Sequence, residues 1–344
     1  MNTESKVEKP DLTPRRRFLA NLMGGRKGKR ISVSNPTSVA CVELINKVGV
    51  HFPDAHTDAS AMAELAAAGY EVLGFDTIMP EFSVQQEAAA LGCEVNWGND
   101  NMMPETMTHP IKSPAEVVIP DNLLEKPSIK VVLEAISRLR REYGDRVAIL
   151  GKVMGPWTIC YHTVGVEDFL ILVRLDPDQI RTYLDAYMPV TIAVANAQLR
   201  AGADAVVLPD HATGAMVSAQ TYAEFLVPVH RKMLAQIGGP TILHICGKCL
   251  DRIPHIATEG YDGYHFEWQN DPKKAVEAAG GQVSLLGGIS NIQALLQGTP
   301  DDVYRQARYN IEAGVASIGP ECAISLLTSI ENLKAIVSAA EEGY

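Results

Sequence analysis

A chain of 344 residues, 47% of them hydrophobic and 21% charged, can bury a large core and fits one α/β barrel with an N-terminal extension. Its formal charge of −11 argues against a nucleic-acid partner, which would need a basic stripe, and no apolar run approaches the ~18 residues of a membrane span. Six cysteines in a chain this long do not make a disulfide framework, and with no targeting signal or membrane span a cytoplasmic location is expected, where thiols stay reduced and available to metal.

Residues 1–29 read as a charged N-terminal extension. Arg15-Arg16-Arg17 before Phe18-Leu19-Ala20 brings a twin-arginine export signal to mind. The apolar stretch ends at Met23-Gly24-Gly25-Arg26, however, too short for such a signal, so an amphipathic helix is expected. From residue 30 onward, short β-branched runs alternate with helix-like segments. Strands are expected at 30–34, 71–76, 147–153, 205–209, 241–245, 263–267, 283–287 and 315–319, with helices at 60–68, 128–143, 176–201, 223–236, 272–279 and 299–313. Eight strands alternating with helices predict a (β/α)8 TIM barrel, here a single catalytic domain over 30–344. A doubly wound sheet is the weaker alternative, because no G-x-G-x-x-G follows the first strand. Between about 81 and 127 the rhythm breaks, with Met102-Met103-Pro104-Glu105-Thr106-Met107 and prolines at 110, 114, 120 and 127. This insertion is expected to pass over the barrel mouth as a lid or binding loop; methionines packed beneath it are an equally good reading.

The chemistry concentrates in His244-Ile245-Cys246, which ends the run Thr241-Ile242-Leu243, and in Cys322 of Gly319-Pro320-Glu321-Cys322. One imidazole and two thiolates suit zinc and leave a position for a fourth group such as a substrate thiol. Residues at i and i+2 of a strand share a side, so His244 and Cys246 can face one ion. Spacing alone allows the plainer reading of a core histidine with two buried thiols. Placement favours the metal, because barrel chemistry collects at the C-terminal ends of strands. Asp210-His211 after Leu208-Pro209, and Glu267 after Tyr264-His265-Phe266, fall on the same face. Asp210 and Glu267 are the candidate catalytic carboxylates, to fill the open metal position or orient His244. Each could instead cap a helix N-terminus. Cys249 completes a C-x-x-C with Cys246, and packing is its expected role rather than redox chemistry.

Leu243-His244-Ile245-Cys246-Gly247, the stretch 263–267, Gly319-Pro320-Glu321-Cys322-Ala323-Ile324 and Glu331-Asn332-Leu333-Lys334-Ala335 resemble the corrinoid-dependent methyltransferases of the uroporphyrinogen-decarboxylase superfamily, the methylcobamide:coenzyme M methyltransferases above all. The resemblance extends to Val42-Glu43-Leu44, Pro53-Asp54-Ala55-His56-Thr57 and Leu91-Gly92-Cys93-Glu94-Val95-Asn96. It implies a zinc-containing barrel that takes a methyl group from a methylcorrinoid (methylcobalamin) carried by a partner corrinoid protein. It also implies that His244, Cys246 and Cys322 hold the zinc, with Glu267 close by. A thiol of the coenzyme M type is the implied acceptor, with tetrahydrofolate as the alternative. A uroporphyrinogen decarboxylase-like activity is the second alternative. Against it, the loop Asn35-Pro36-Thr37-Ser38-Val39-Ala40-Cys41 carries no arginine to clamp a polycarboxylate. A purely structural zinc is the non-enzymatic reading, but such sites use ligand pairs close in sequence, unlike Cys246 and Cys322.

Overall fold

Runs rich in valine, isoleucine and leucine, buried on both faces, build the centre of the molecule. The computed structural model describes residues 12–24 and 28–344. Its strands are β1 (Ser32–Val33), β2 (Thr77–Ile78), β3 (Val95–Asn96), β4 (Glu105–Thr106), β5 (Ala148–Lys152), β6 (Ala205–Pro209), β7 (Thr241–His244), β8 (Gly263–Phe266), β9 (Ser284–Ile289) and β10 (Ser317–Pro320). Eight of them pair in parallel in the order β1-β10-β9-β8-β7-β6-β5-β2, while β3 and β4 form a separate antiparallel hairpin. Helices cover the outer face, so every residue of β5 to β8 is buried and these strands read as continuous rather than alternating apolar runs. The arrangement is the expected (β/α)8 barrel.

One expected strand is displaced. The segment 71–76 is not a strand: the alanine-rich helix Ala59–Glu71 runs through its start, and the second strand is Thr77–Ile78. Leu73 and Phe75, whose apolar character suggested a strand, are buried in the main core on the turn between helix and strand. Asp76 then closes the barrel where β1 and β2 are too short to form a ladder. Its backbone N–H donates to the Val33 carbonyl at 2.8 Å, and its carboxylate accepts the Val33 N–H at 2.8 Å. Arg30 donates to both carboxylate oxygens, at 3.1 and 3.2 Å, and Arg17 pairs with the same group. We expect Asp76→Asn to keep the fold but lose about 1–3 kcal/mol in urea unfolding, since two guanidinium partners lose their counter-charge.

Arg17 belongs to α1 (Pro14–Leu22), which lies across the N-terminal end of the barrel. Its Phe18 and Leu22 are buried against Met79, Ala148, Leu150, Ala205, Val207, Ile242 and Leu286, forming the barrel floor. Arg15 ties the same helix to Asp204, just before β6, at 2.8 Å. Residues 1–11 and 25–27 of the expected extension lie outside the described residues. Burying one end under α1 leaves the opposite, C-terminal end of the strands as the open mouth. The stretch following β2 carries the helix Gln86–Ala90, the β3–β4 hairpin and two short 3-10 turns before the helix Pro127–Tyr143. Met102, Met103 and Met107 are exposed there rather than packed beneath it. Among the described residues, no helix is long and apolar enough to cross a membrane.

Candidate metal centre

His244 is the last residue of β7, buried to 1% exposure, and two residues, Ile245 and Cys246, follow before the chain turns. Gly247 makes that turn with φ +78, a backbone conformation that L side chains rarely adopt. Cys246 therefore emerges on the same side as the imidazole. Cys322 arrives from the other side of the mouth, two residues beyond β10.

The three ligand atoms form a triangle. His244 Nε2 lies 3.2 Å from Cys246 Sγ and 3.4 Å from Cys322 Sγ, and the two sulfurs are 3.7 Å apart. A tetrahedral zinc with S at ~2.3 Å and N at ~2.0 Å has edges of about 3.8 Å between sulfurs and about 3.5 Å between nitrogen and sulfur. The side chains already stand close to that spacing, so they fit zinc without rearrangement. His244 Nδ1 donates to the His265 carbonyl at 3.2 Å, which leaves the lone pair on Nε2, the atom facing the sulfurs. Burial, reinforced by His265 and His211, holds the His244 imidazolium well below its usual range, so the ring is neutral and ready to bind metal. The bond with Cys322, followed by burial, pushes the Cys246 thiol up; a bound cation would reverse that preference.

His265 anchors this arrangement from below, its Nε2 donating to the Pro320 carbonyl at 2.8 Å and so tying β8 to β10. Space for its ring comes from Gly287, at φ +101, where a Cβ would sit 2.6 Å from the imidazole. Two further residues hold the ligand loops and escaped the sequence reading. Asn270 accepts from the Cys249 N–H and donates to the carbonyls of Gly247 and Glu267, stitching the two loops together. Glu321 accepts the N–H groups of Trp268 (2.8 Å) and Asn291 (2.7 Å), which fixes the approach to Cys322. A polar residue beside a ligand at a strand end was the available signal, and for Glu321 the motif had already displayed it.

The two candidate carboxylates part company. Glu267 follows β8, and one of its oxygens lies within 4.8 Å of both sulfurs, inside metal-ligand reach. Burial pushes its carboxyl above the ordinary range. Asp210 does not join the cluster and does not touch the His244 ring. Its Oδ1 accepts the Thr158 N–H at 2.8 Å and the Thr158 hydroxyl at 3.2 Å, while its Oδ2 meets His230 Nε2 at 2.9 Å. Thr158 lies in the first turn of the helix Pro156–Thr163, so Asp210 takes the capping role that was its alternative. His211 stands instead on the metal side, within 4.8 Å of His244 and Cys246 by its ligand atom. Cys249 is fully buried and its Sγ donates to the Cys246 carbonyl at 3.4 Å, outside the triangle. A cavity of about 190 Å³ opens onto the centre, lined by His244, Cys246, Cys322 and His211 together with residues of the loop after β2, Met103 among them.

Comparison with known proteins supplies the class. The uroporphyrinogen decarboxylase (URO-D) family matches residues 13–343, and the chain belongs to it. A methylated-thiol–coenzyme M methyltransferase of Methanosarcina mazei is 35% identical over 338 residues, covering 96% of this chain and 90% of that protein. The methylcobamide:CoM methyltransferase MtaA of Methanosarcina barkeri is 33% identical, over 97% of this chain and 99% of its own length. A solved methyltransferase from Methanosarcina mazei superposes with a TM-score of 0.93 at 32% identity, covering 96% of this chain and 99% of the other. Within the family the chain thus falls in the methylcobamide:coenzyme M methyltransferase group and is a methyltransferase.

Proposed function

We propose that the protein transfers a methyl group from the methylcorrinoid of a partner corrinoid protein to a thiol of the coenzyme M type, with zinc held by His244, Cys246 and Cys322. The observation that carries this reading is the imidazole and two thiols at tetrahedral ligand spacing in the barrel mouth. The names of the relatives favour coenzyme M over tetrahydrofolate as the acceptor. Bound at this centre, zinc would lower the acceptor's thiol pKa so that a thiolate exists at neutral pH.

The chain's own residues do the rest. His265 fixes the tautomer of His244, while Cys246 and Cys322 contribute two negative charges that keep the acceptor sulfur electron-rich. Glu267, raised by burial and within reach of both sulfurs, would take the proton the thiol gives up. The sulfur lone pair then forms the S–CH3 bond in line, and the cobalt–carbon electron pair remains on the corrinoid as cobalt(I). The exposed Met102 and Met107 offer an apolar rim to the incoming macrocycle. A centre built on free thiols works in a reducing compartment, the cytoplasm.

Purified protein given free methylcobalamin and coenzyme M without oxygen should convert it to cobalt(I) cobalamin, followed by visible absorbance, and should leave uroporphyrinogen intact. Turnover with tetrahydrofolate alone would overturn the thiol mechanism; no turnover with either acceptor, even with the corrinoid protein supplied, would overturn methyl transfer at this site.

A further inference from the structure

The cavity that reaches the metal centre also holds a buried cation. Most of its wall is apolar, with Phe82, Val84, Met103 and Pro104 contributing, but Lys152 at the C-terminal end of β5 also lines it. It is the one lysine or arginine among the described lining residues. The side chain is 2% exposed, and its ammonium donates to the carbonyls of Thr37 at 3.2 Å and Glu81 at 2.7 Å. Those bonds occupy two of three protons, and no carboxylate among the described residues comes within ion-pair distance of it.

An unpaired buried cation is costly, and proteins keep one where an anion will arrive. The nearby acids do not answer that need. Burial, with Glu87 beside it, pushes Glu81 well above the usual carboxylate range, toward the neutral acid, with Lys152 and Gln198 opposing that rise. Burial pushes Lys152 down while Glu81, Glu87 and Cys322 pull it back; an arriving anion would add to that pull. The same cavity is lined by His244, Cys246 and Cys322.

We propose that Lys152 determines acceptor specificity by binding the acid group at the far end of a short anionic thiol whose sulfur reaches the His244, Cys246 and Cys322 centre. The inference rests on the thiol-methyltransferase reading and adds to it the acceptor's second recognition point. A sulfonate and a carboxylate share the required chemistry.

The test compares kcat/KM of wild type and Lys152→Met for methylcobalamin demethylation with mercaptoethanesulfonate, mercaptopropionate and mercaptoethanol, zinc content being measured on both proteins. Methionine keeps the unbranched stem and suits a buried position. Wild type should prefer an anionic thiol, the better of the two acids naming the source. In Lys152→Met the ratio of anionic to neutral acceptor should fall at least about tenfold, through KM, with zinc retained, as expected for losing one charge-assisted bond. Calorimetry with ethanesulfonate, which has no thiol, should show binding to wild type and none to the variant. An unchanged ratio, or equal losses with all three thiols, would overturn the proposal and leave Lys152 as a brace between Thr37 and Glu81. A wild type that turns over no thiol would sink the methyl-transfer reading instead, and the ethanesulfonate comparison would then decide on Lys152 alone.

Discussion

Alanine at His244, Cys246 or Cys322 should abolish stoichiometric zinc binding and methyl transfer together, whereas Cys249→Ala should retain zinc. The argument is geometric. The first three side chains point at one another at 3.2, 3.4 and 3.7 Å, while the Cys249 sulfur is turned to the Cys246 carbonyl. Losing one of three protein ligands should weaken binding by more than the ~10–100-fold typical of removing an outer partner of a ligand. The fold should survive, because the barrel core is closed by α1 and Asp76 at the opposite end, away from these three side chains. Metal analysis of the four purified variants, read beside their circular dichroism, settles the matter. Full zinc in Cys322→Ala together with zinc loss in Cys249→Ala would replace this centre by a local C-x-x-C site. Unfolding of the wild-type protein on chelation would instead mark the metal as structural.

What the sequence made legible follows from what is local. His244 and Cys246 could be placed on one side of a strand end because a period of two is a backbone property, and Cys322 joined them because all parallel strands of a barrel end on one face. The strand at 71–76 was not legible, since Leu73 and Phe75 are as apolar on a turn as on a strand, and only packing decides between the two. Asp210 shows the limit most clearly. Its position after β6 was readable from the chain, but its partners Thr158 and His230 come from two different helices, separated from it by 52 and 20 residues. A carboxylate at a strand end can turn to the metal or to the surrounding helices with no difference in its sequence neighbourhood. Glu267 followed the same pattern in sequence and turned the other way.

The network that claims Asp210 supports the second large effect: His230→Gln should destabilise the protein by about 3–5 kcal/mol at pH 6.5 and flatten its pH dependence above that point. His230 is fully buried, with Nε2 2.9 Å from Asp210 and Nδ1 2.7 Å from Glu259, whose other oxygen accepts the Tyr222 hydroxyl at 2.8 Å. Burial alone would lower the imidazole's pKa. The two carboxylates outweigh it, Glu259 foremost, and raise it from 6.5 to about 9. Because the folded value lies above the unfolded one, the charged ring stabilises the fold fully below about pH 6.5, and that contribution is lost as pH rises toward 9. A rise of that size corresponds to roughly 3 kcal/mol. Urea unfolding of wild type at pH 6.5 and pH 8.5 should therefore show falling stability. His230→Gln, which keeps hydrogen-bonding capacity without the charge, should show a shallower fall from a lower start. The difference between the two proteins isolates His230 from the buried thiols, which also favour the folded state less as pH rises. Identical slopes in the two proteins would mean that the ring is neutral in the fold. Because Thr158 accepts the His211 N–H at 2.8 Å while bonding Asp210, the same variant should also loosen the loop that carries His211 toward the metal centre.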